Sequence, residues 1–383
     1  MKNILLLVLL AACSLKHNPL DNETLNGHSE LYSEPDHINQ IKKDQKRLVI
    51  AATSDIEGGF TPNTIKFKDD FNKDQSIKIG GDEIISHYFK ILREEYKNVI
   101  LLDAGNILSE NTSQSEIQQF YSRLKYDAVT LGLNDFKLKL PNSKSPADYF
   151  QSFAQNSSTP LLLSNLYELK SARVVEWKGS LPYLMKEIDG IKVGIIGLIP
   201  DDIATLTPTH NRVGLYVESM LQSTLRHARL LRSLGAEIIV VMTNQGLDCG
   251  DVIADKKNLP IEKVNFDPND KNACDLNGEL GQYLVRLPPY LVDVVFAGRN
   301  GKKTANYINS TLVLSGFSSG KSFSYVEFIL DRKTNKLIKD ETVVHQPVLF
   351  CHEFFKETKD CFSGDSSVNH KLRVPAKFLG KDI

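Results

Sequence analysis

The chain has 383 residues, 41% of them hydrophobic and 24% charged, enough apolar material for one large or two ordinary globular domains. A net charge of −1, with no Lys/Arg tract, gives no electrostatic footprint for nucleic acid.

Lys2 and the apolar run 4–10 form a secretory signal, because the run is too short to span a bilayer. Leu10-Ala-Ala-Cys13 resembles a bacterial lipobox, which implies lipid attachment at Cys13; the alternative is an ordinary signal with a chance cysteine. By resemblance to the enterobacterial sorting rule, Ser14 after that cysteine implies the outer membrane. The expected setting is therefore the cell envelope, with the lipid as the membrane contact. Residues 14–46 are polar and lack apolar periodicity, as expected of a disordered tether with a reach of about 30 Å. The folded domain is expected over 47–348, with a disulfide-bearing tail over 349–383.

Residues 47–53 are predicted as the first strand. Ile84, Ile85, Tyr88, Phe89 and Leu92 set a helical stripe in 81–96. Val99-Ile-Leu-Leu-Asp103 has the continuous apolar character of a strand buried on both faces. A helix over 115–125, a strand over 126–131, a helix over 147–154 and a strand over 160–164 follow. Asp189-Gly190 between two apolar runs is a strong hairpin signal. A long helix over 217–234 precedes a strand over 237–242, then a helix over 277–287 and a strand over 292–296. Strands joined by turns continue to about His345, and irregular chain is expected after Cys351. With Cys13 set aside, the remaining cysteines permit three pairings in an oxidising compartment. The local pairs Cys249–Cys274 and Cys351–Cys361 are favoured, since each closes a polar segment. The rival is a thiolate metal site, for which no Cys-x-x-Cys spacing exists.

Five strand ends carry acidic, amide and glycine residues: 54–59, 103–106, 132–136, 243–248 and 297–301. Ligands of open α/β sheets sit at such ends. Together with Gly80-Gly81, 160–165, 193–198 and 315–321, and in the same order, these segments resemble the metallophosphoesterase domain of the bacterial 5′-nucleotidase family. The resemblance covers about 48–344. It implies an α/β fold, a four-layer α/β/β/α sandwich, with two divalent metals about 3.5–4 Å apart clamping a phosphoryl group.

The site motifs depart from that pattern. Asp55-Ile-Glu57 stands at Asp-x-His, and Asn106 stands at the bridging aspartate. Leu133 and Asn134 stand at a ligating amide and the catalytic imidazole. Asn244 replaces a ligating histidine, and Gly298-Arg299-Asn300-Gly301 replaces Gly-His-x-His. Loss of even one supporting partner typically costs roughly 10–100-fold in metal affinity or activity. Asp55, Glu57, Asn106 and Asn244 therefore form a vestigial ligand set, suited at most to one weakly held Ca²⁺ or Mg²⁺. No other cofactor is expected. Arg299 is expected to take the place of the metals by neutralising Asp55 and Glu57, the alternative being an exposed loop arginine. The family's nucleobase-stacking domain has no counterpart after His345, so the resemblance carries over no nucleotide specificity and does not support nucleotide binding. The expected function is an envelope lipoprotein, catalytically degenerate, that binds a ligand or an envelope or extracellular protein. The alternatives are an active metal-dependent phosphoesterase with an oxygen-ligand site around Asp55, Glu57, Asp103 and Asn106, and a purely structural envelope protein.

Overall fold

A computed structural model describes residues 40–68, 74–139, 146–249, 274–355, 361 and 373–383. Cys13, the signal segment and the tether up to residue 39 lie outside the described residues. Strand β1 (Gln45–Thr53) starts two residues earlier than its apolar run suggests. The ribbon β2 (Asn63–Lys68) and β3 (Asp74–Ile79) leads to α1 (Asp82–Glu95) and β4 (Val99–Asp103). Next come α2 (Gln114–Arg123), β5 (Ala128–Val129), α3 (Pro146–Asn156), β6 (Leu161–Leu162), β7 (Leu166–Glu168) and β8 (Ser180–Leu181). The second half holds β9 (Leu184–Ile188), β10 (Ile191–Leu198), β11 (Leu215–Val217), α4 (Met220–Ser233), β12 (Ile238–Thr243) and α5 (Glu279–Arg286). It continues through β13 (Val294–Phe296), β14 (Thr304–Ile308), β15 (Thr311–Ser315) and β16 (Ser322–Asp331). Short strands close the chain: β17 (Val343–Val344), β18 (Val348–Leu349), β19 (Glu353–Phe355), β20 (Arg373–Pro375), β21 (Lys377–Phe378) and β22 (Lys381–Asp382).

Two sheets face each other. One has the order β17-β16-β1-β4-β5-β6-β8, with β18 also on β16; the other has the order β14-β15-β13-β12-β10-β9. The alternation along β1 explains the layering. Leu48, Ile50 and Ala52 point between the sheets, where they meet Leu102, Val240 and Phe296. Val49 and Ala51 point the other way, into a core shared with Phe89, Phe120 and Phe150 of α1, α2 and α3. On the far side Ile239 and Val241 pack on Leu231 of α4 and Leu284 of α5. A strand with helices on one face and a sheet on the other must be apolar throughout, as β1, β4 and β12 are. The result is the four-layer α/β/β/α sandwich.

The Asp189-Gly190 hairpin forms as expected, with both residues at positive φ (52° and 76°), which matches a turn that suits the strand twist. Cys249 is joined to Cys274 and Cys351 to Cys361. The tail departs from the irregular chain expected. β19 pairs with β20 and β21 with β22, and Phe378 and Leu379 enter the core under α1. Its apolar residues occur singly or in pairs, so no periodicity announces them.

Candidate functional site

The parallel strands β1, β4, β12 and β13 all end on one side, so the loops that follow them converge. Four residues of these loops, Asp55, Glu57, Asn106 and Arg299, hold positive φ values of 53°, 50°, 56° and 76°. Non-glycine residues adopt that conformation at a cost of order 1 kcal/mol each, and such strain clusters at functional sites. Close packing accompanies it. A Cβ on Gly132 would lie 2.3 Å from Asn106 Oδ1, and one on Gly298 would lie 2.8 Å from Asp55 Oδ2.

Asp55 is at the centre, 2% exposed. Its Oδ1 accepts from Asn106 Nδ2 at 2.7 Å and from Asn244 Nδ2 at 2.8 Å. Its Oδ2 accepts the Arg299 backbone N–H at 2.7 Å, and the Ser54 side chain supplies a further hydrogen bond. Burial pushes the Asp55 carboxyl above its usual range, and these donors pull it back. Both amides are fixed at their other ends. Asn106 Oδ1 accepts the Asn134 N–H at 2.8 Å, and Asn244 Oδ1 faces the Leu133 N–H at 3.4 Å. Turning either amide over would set its NH₂ against an N–H and its oxygen against a carboxylate.

Three of the four residues expected as vestigial ligands therefore meet. The fourth, Glu57, is half-buried beside them and accepts from Asn134 Nδ2 at 2.7 Å. Burial raises its carboxyl, with Asp55 adding to the effect. Leu133 turns its side chain into the helix-side core, away from the loops.

Arg299 does not neutralise Asp55 and Glu57 through its guanidinium, contrary to expectation. Its Nη1 pairs with Asp202 Oδ2 at 2.6 Å and donates to Gln245 Oε1 at 2.8 Å. Only its main-chain N–H reaches Asp55, because the left-handed backbone turns that N–H and the side chain to different partners. Asp202 Oδ1 is buried with no N–H or hydroxyl donor, and the Glu279 carboxyl lies within hydrogen-bonding reach of Asp202, so a proton on Glu279 is what can join them. Burial and the neighbouring Asp202 and Asp201 push Glu279 up to about 7. The motif segments gave no sign of this arrangement, since Asp202 follows β10 in a turn that belongs to none of them.

Two further carboxylates brace the loops. Asp103 Oδ1 accepts the Gly105 N–H at 2.9 Å and its Oδ2 accepts from Thr53 Oγ1 at 2.6 Å, so it caps the turn. Asp135 was not foreseen. It accepts the N–H groups of Gly132 and Leu108 at 2.7 and 2.8 Å and locks two loops together. Burial lifts its carboxyl to about 7 against those bonds. The Gly132-Leu-Asn-Asp135 run was the available signal.

A divalent metal needs lone pairs aimed at it, and an amide NH₂ has none to give. Asn106 and Asn244 both direct NH₂ groups at Asp55, with their oxygens committed to main-chain N–H groups. This donor set does not fit two dications. Among the described residues no group of three or more His, Cys, Asp or Glu side chains could hold a metal ion.

The fold is the one seen in calcineurin-like metallophosphoesterases. No protein-family profile matches the chain. It is similar to the cell wall protein Lmo0130 of Listeria monocytogenes, at 24% identity over 63% of this chain and 31% of that protein. It is equally similar to the snake venom 5′-nucleotidase of Crotalus adamanteus, at 24% identity over 64% of this chain and 39% of the enzyme. The chain thus spans well under half the length of these relatives. Among solved structures, a 5′-nucleotidase precursor from Thermus thermophilus superposes with a TM-score of 0.58 at 18% identity, over 79% of this chain and 54% of that one. The phosphoesterase YfkN of Bacillus subtilis gives 0.55 at 18% identity, over 80% and 90%. Its sequence relatives and structural neighbours include 5′-nucleotidases and calcineurin-like phosphoesterases, and it shares their fold.

Proposed function

We propose that the chain is an envelope lipoprotein that keeps the phosphoesterase scaffold without its two-metal chemistry, and acts by binding a ligand or protein partner at the loops around Asp55. One observation carries the reading. The Asp55 carboxylate is satisfied by two amide NH₂ groups and a main-chain N–H, the positions at which a hydrolase of this family needs metal ligands. The lipid anchor at Cys13 rests on the lipobox and the outer membrane on Ser14 after it, while the cell wall relative supports association with the envelope alone.

The test is metal content and phosphoester hydrolysis on one sample of the full chain carrying Cys13→Ala. Mn²⁺, Zn²⁺, Mg²⁺ and Ca²⁺ are each supplied in turn. The expected result is substoichiometric metal and no turnover. Near-stoichiometric metal with turnover abolished by Asp55→Ala would restore the hydrolase.

A further inference from the structure

The Asp55 loop leans on a neighbour outside its amide cluster, the loop 316–321 that precedes β16. The Asp55 carbonyl accepts the Ser319 N–H at 2.7 Å, and Asn63 Nδ2 donates to the Ser319 carbonyl at 2.9 Å. Ser319 makes this contact with a φ of 61°, a conformation that a serine holds only where its surroundings impose it. Two glycines set those surroundings. A Cβ on Gly80 would lie 2.2 Å from the Gly320 carbonyl oxygen, and one on Gly59 2.9 Å from that of Ser319. Main chain packs directly on main chain, with no side chain between to absorb a shift.

The C-terminal tail clamps both sides of that packing. The Phe350 N–H donates to the Lys321 carbonyl at 2.9 Å, and the Phe350 carbonyl accepts the Gly80 N–H at 2.8 Å. His352 Nε2 donates to the Gly80 carbonyl at 2.7 Å. Between them, the Cys351 N–H donates to the Tyr88 hydroxyl of α1 at 3.2 Å. Residues 350–352 thus bind the start of α1 to the loop that holds the Asp55 main chain. Cys351, in the middle of this clamp, is the residue joined to Cys361.

The tail is anchored unevenly. Its far end is packed, with Phe378 and Leu379 in the helix-side core and Lys381 paired to Glu95 of α1 at 2.6 Å. Its entry is paired, with Val348 and Leu349 of β18 on Phe323 and Ser322 of β16. The clamp between them rests on a small cluster of its own, in which Ile77, Ile79, Phe317 and Phe354 accompany the two cysteines. The ladder there, β19 with β20, is three residues long. A two-stranded ribbon of that size is marginal by itself. The disulfide reinforces it by joining residues 10 apart, which restricts the opened state. Cutting the bond leaves both ends of the tail held and loosens the middle.

We propose that the Cys351–Cys361 disulfide is a redox-set catch on the Asp55 loops. Closed, it keeps residues 350–352 on Gly80 and Lys321, and through them the Ser319 N–H on Asp55. Opened, it releases the clamp while the two sheets stay folded. The reductant is a dithiol. One of its thiolates attacks a sulfur of the pair and expels the other as a thiolate, which takes a proton. Its second thiolate then displaces the first protein sulfur, leaving two cysteine thiols and the reductant's own disulfide. Cys351 is 2% and Cys361 1% exposed, so exchange waits on local opening of the tail and the catch responds slowly. That slackened loops bind a partner less well rests on the reading of these loops as the binding place; the catch itself does not.

Hydrogen exchange read by mass spectrometry tests the catch on the full chain carrying Cys13→Ala, oxidised, then reduced with dithiothreitol, then reoxidised. Reduction is expected to speed exchange in segments 316–322 and 79–82 by about tenfold or more, the mark of a local opening. The β9–β10 hairpin, 184–195, is expected to be unaffected, and reoxidation to restore the slow rates. Cys351→Ser with Cys361→Ser is expected to exchange fast in both segments with or without reductant. Cys249→Ser with Cys274→Ser is expected to respond to reductant as the parent does. His352→Ala keeps the disulfide and is expected to speed segment 79–82 severalfold. Exchange in 316–322 that is indifferent to reduction overturns the proposal. Equal acceleration of the β9–β10 hairpin also overturns it, because the bond is then a staple for the whole fold. A response lost in Cys249→Ser with Cys274→Ser does so too, by assigning the effect to the other disulfide. The metal and turnover assay is scored separately. A hydrolase whose turnover falls on reduction keeps the catch and removes the binding reading.

Discussion

Asn106 and Asn244, 138 positions apart in the chain, donate to the same oxygen of Asp55, at 2.7 and 2.8 Å. Two amide dipoles thus meet a buried carboxylate at positions where the family resemblance puts metal ligands. Hydrogen bonds to a charged acceptor are worth roughly 1.5–3 kcal/mol each, enough to hold an ionised group that burial disfavours. Three donors thus balance the one carboxylate at which the loops converge.

Asn106→Asp tests that balance directly. It places a second carboxylate within hydrogen-bonding distance of Asp55 and removes a donor from it. The expected cost at pH 7 is about 3 kcal/mol in urea unfolding, the scale of an uncompensated buried charge. The cost should shrink at pH 5, where one of two like-charged neighbours keeps its proton. Millimolar Mn²⁺ should raise the Tm of the variant and not that of the parent. A parent stabilised by Mn²⁺ as strongly as the variant would contradict the donor-set argument.

Asp55→Ala removes the acceptor instead. Asn106 Nδ2, Asn244 Nδ2 and the Arg299 N–H then lose their common partner. At roughly 1–3 kcal/mol for each buried group left unpaired, the loss should exceed about 3 kcal/mol. A chelator should leave the parent's Tm unchanged while this substitution lowers it by many degrees. A drop under about 1 kcal/mol would show that the loops do not depend on this carboxylate.

The sequence was informative where physics repeats itself along the chain. β1, β4 and β12 were legible because strands covered on both faces are uninterrupted β-branched and leucine runs, each closed by a polar loop. The convergence of Asp55, Asn106 and Asn244 followed from the order of those loops. The destination of the Arg299 side chain was not legible. It depends on a φ of 76°, which sends the main-chain N–H to Asp55 and the guanidinium to Asp202. Nothing in the local sequence specifies that choice. Asp135 stands in a run that marked its loop, but its role was hidden, since a carboxylate bonded to main-chain N–H groups looks in sequence like any loop aspartate. The tail strands escaped notice because Phe354, Phe378 and Leu379 stand in short apolar pairs within polar surroundings, too brief to set a period.

Gly132→Ala probes how tightly the loops pack. Its Cβ would fall 2.3 Å from Asn106 Oδ1 and 2.5 Å from Asn244 Cγ, both closer than any real contact. Neither amide can retreat without losing Asp55, so the expected loss is about 2–3 kcal/mol, the upper range for overpacking. Gly214→Ala, where nothing lies within 4 Å of the added Cβ, is the matched control, though its φ of 77° carries a strain cost of its own. Thermal unfolding of the two should differ by several degrees. Equal Tm values would mean that the amide cluster yields to a methyl group.

Glu279 supplies a pH test with a definite sign. Its carboxyl is raised from an ordinary value near 4.5 to about 7 by burial and by Asp202 and Asp201. The folded state therefore holds this proton across the window from about 4.5 to 7, while the unfolded chain has released it. Stability contributed by the protonated Glu279–Asp202 contact is full below that window and is lost as pH rises through it. Glu279→Gln keeps a hydrogen-bond donor toward Asp202 and removes the titration. The difference in Tm between variant and parent should move in favour of the variant as pH rises from 5 to 8, with Arg299 still paired to Asp202 in both. Because Asp135 titrates in the same range, only this difference, and not the parent curve, reports on Glu279. A difference that is flat with pH would mean that Glu279 ionises in the folded protein as it does in the unfolded chain.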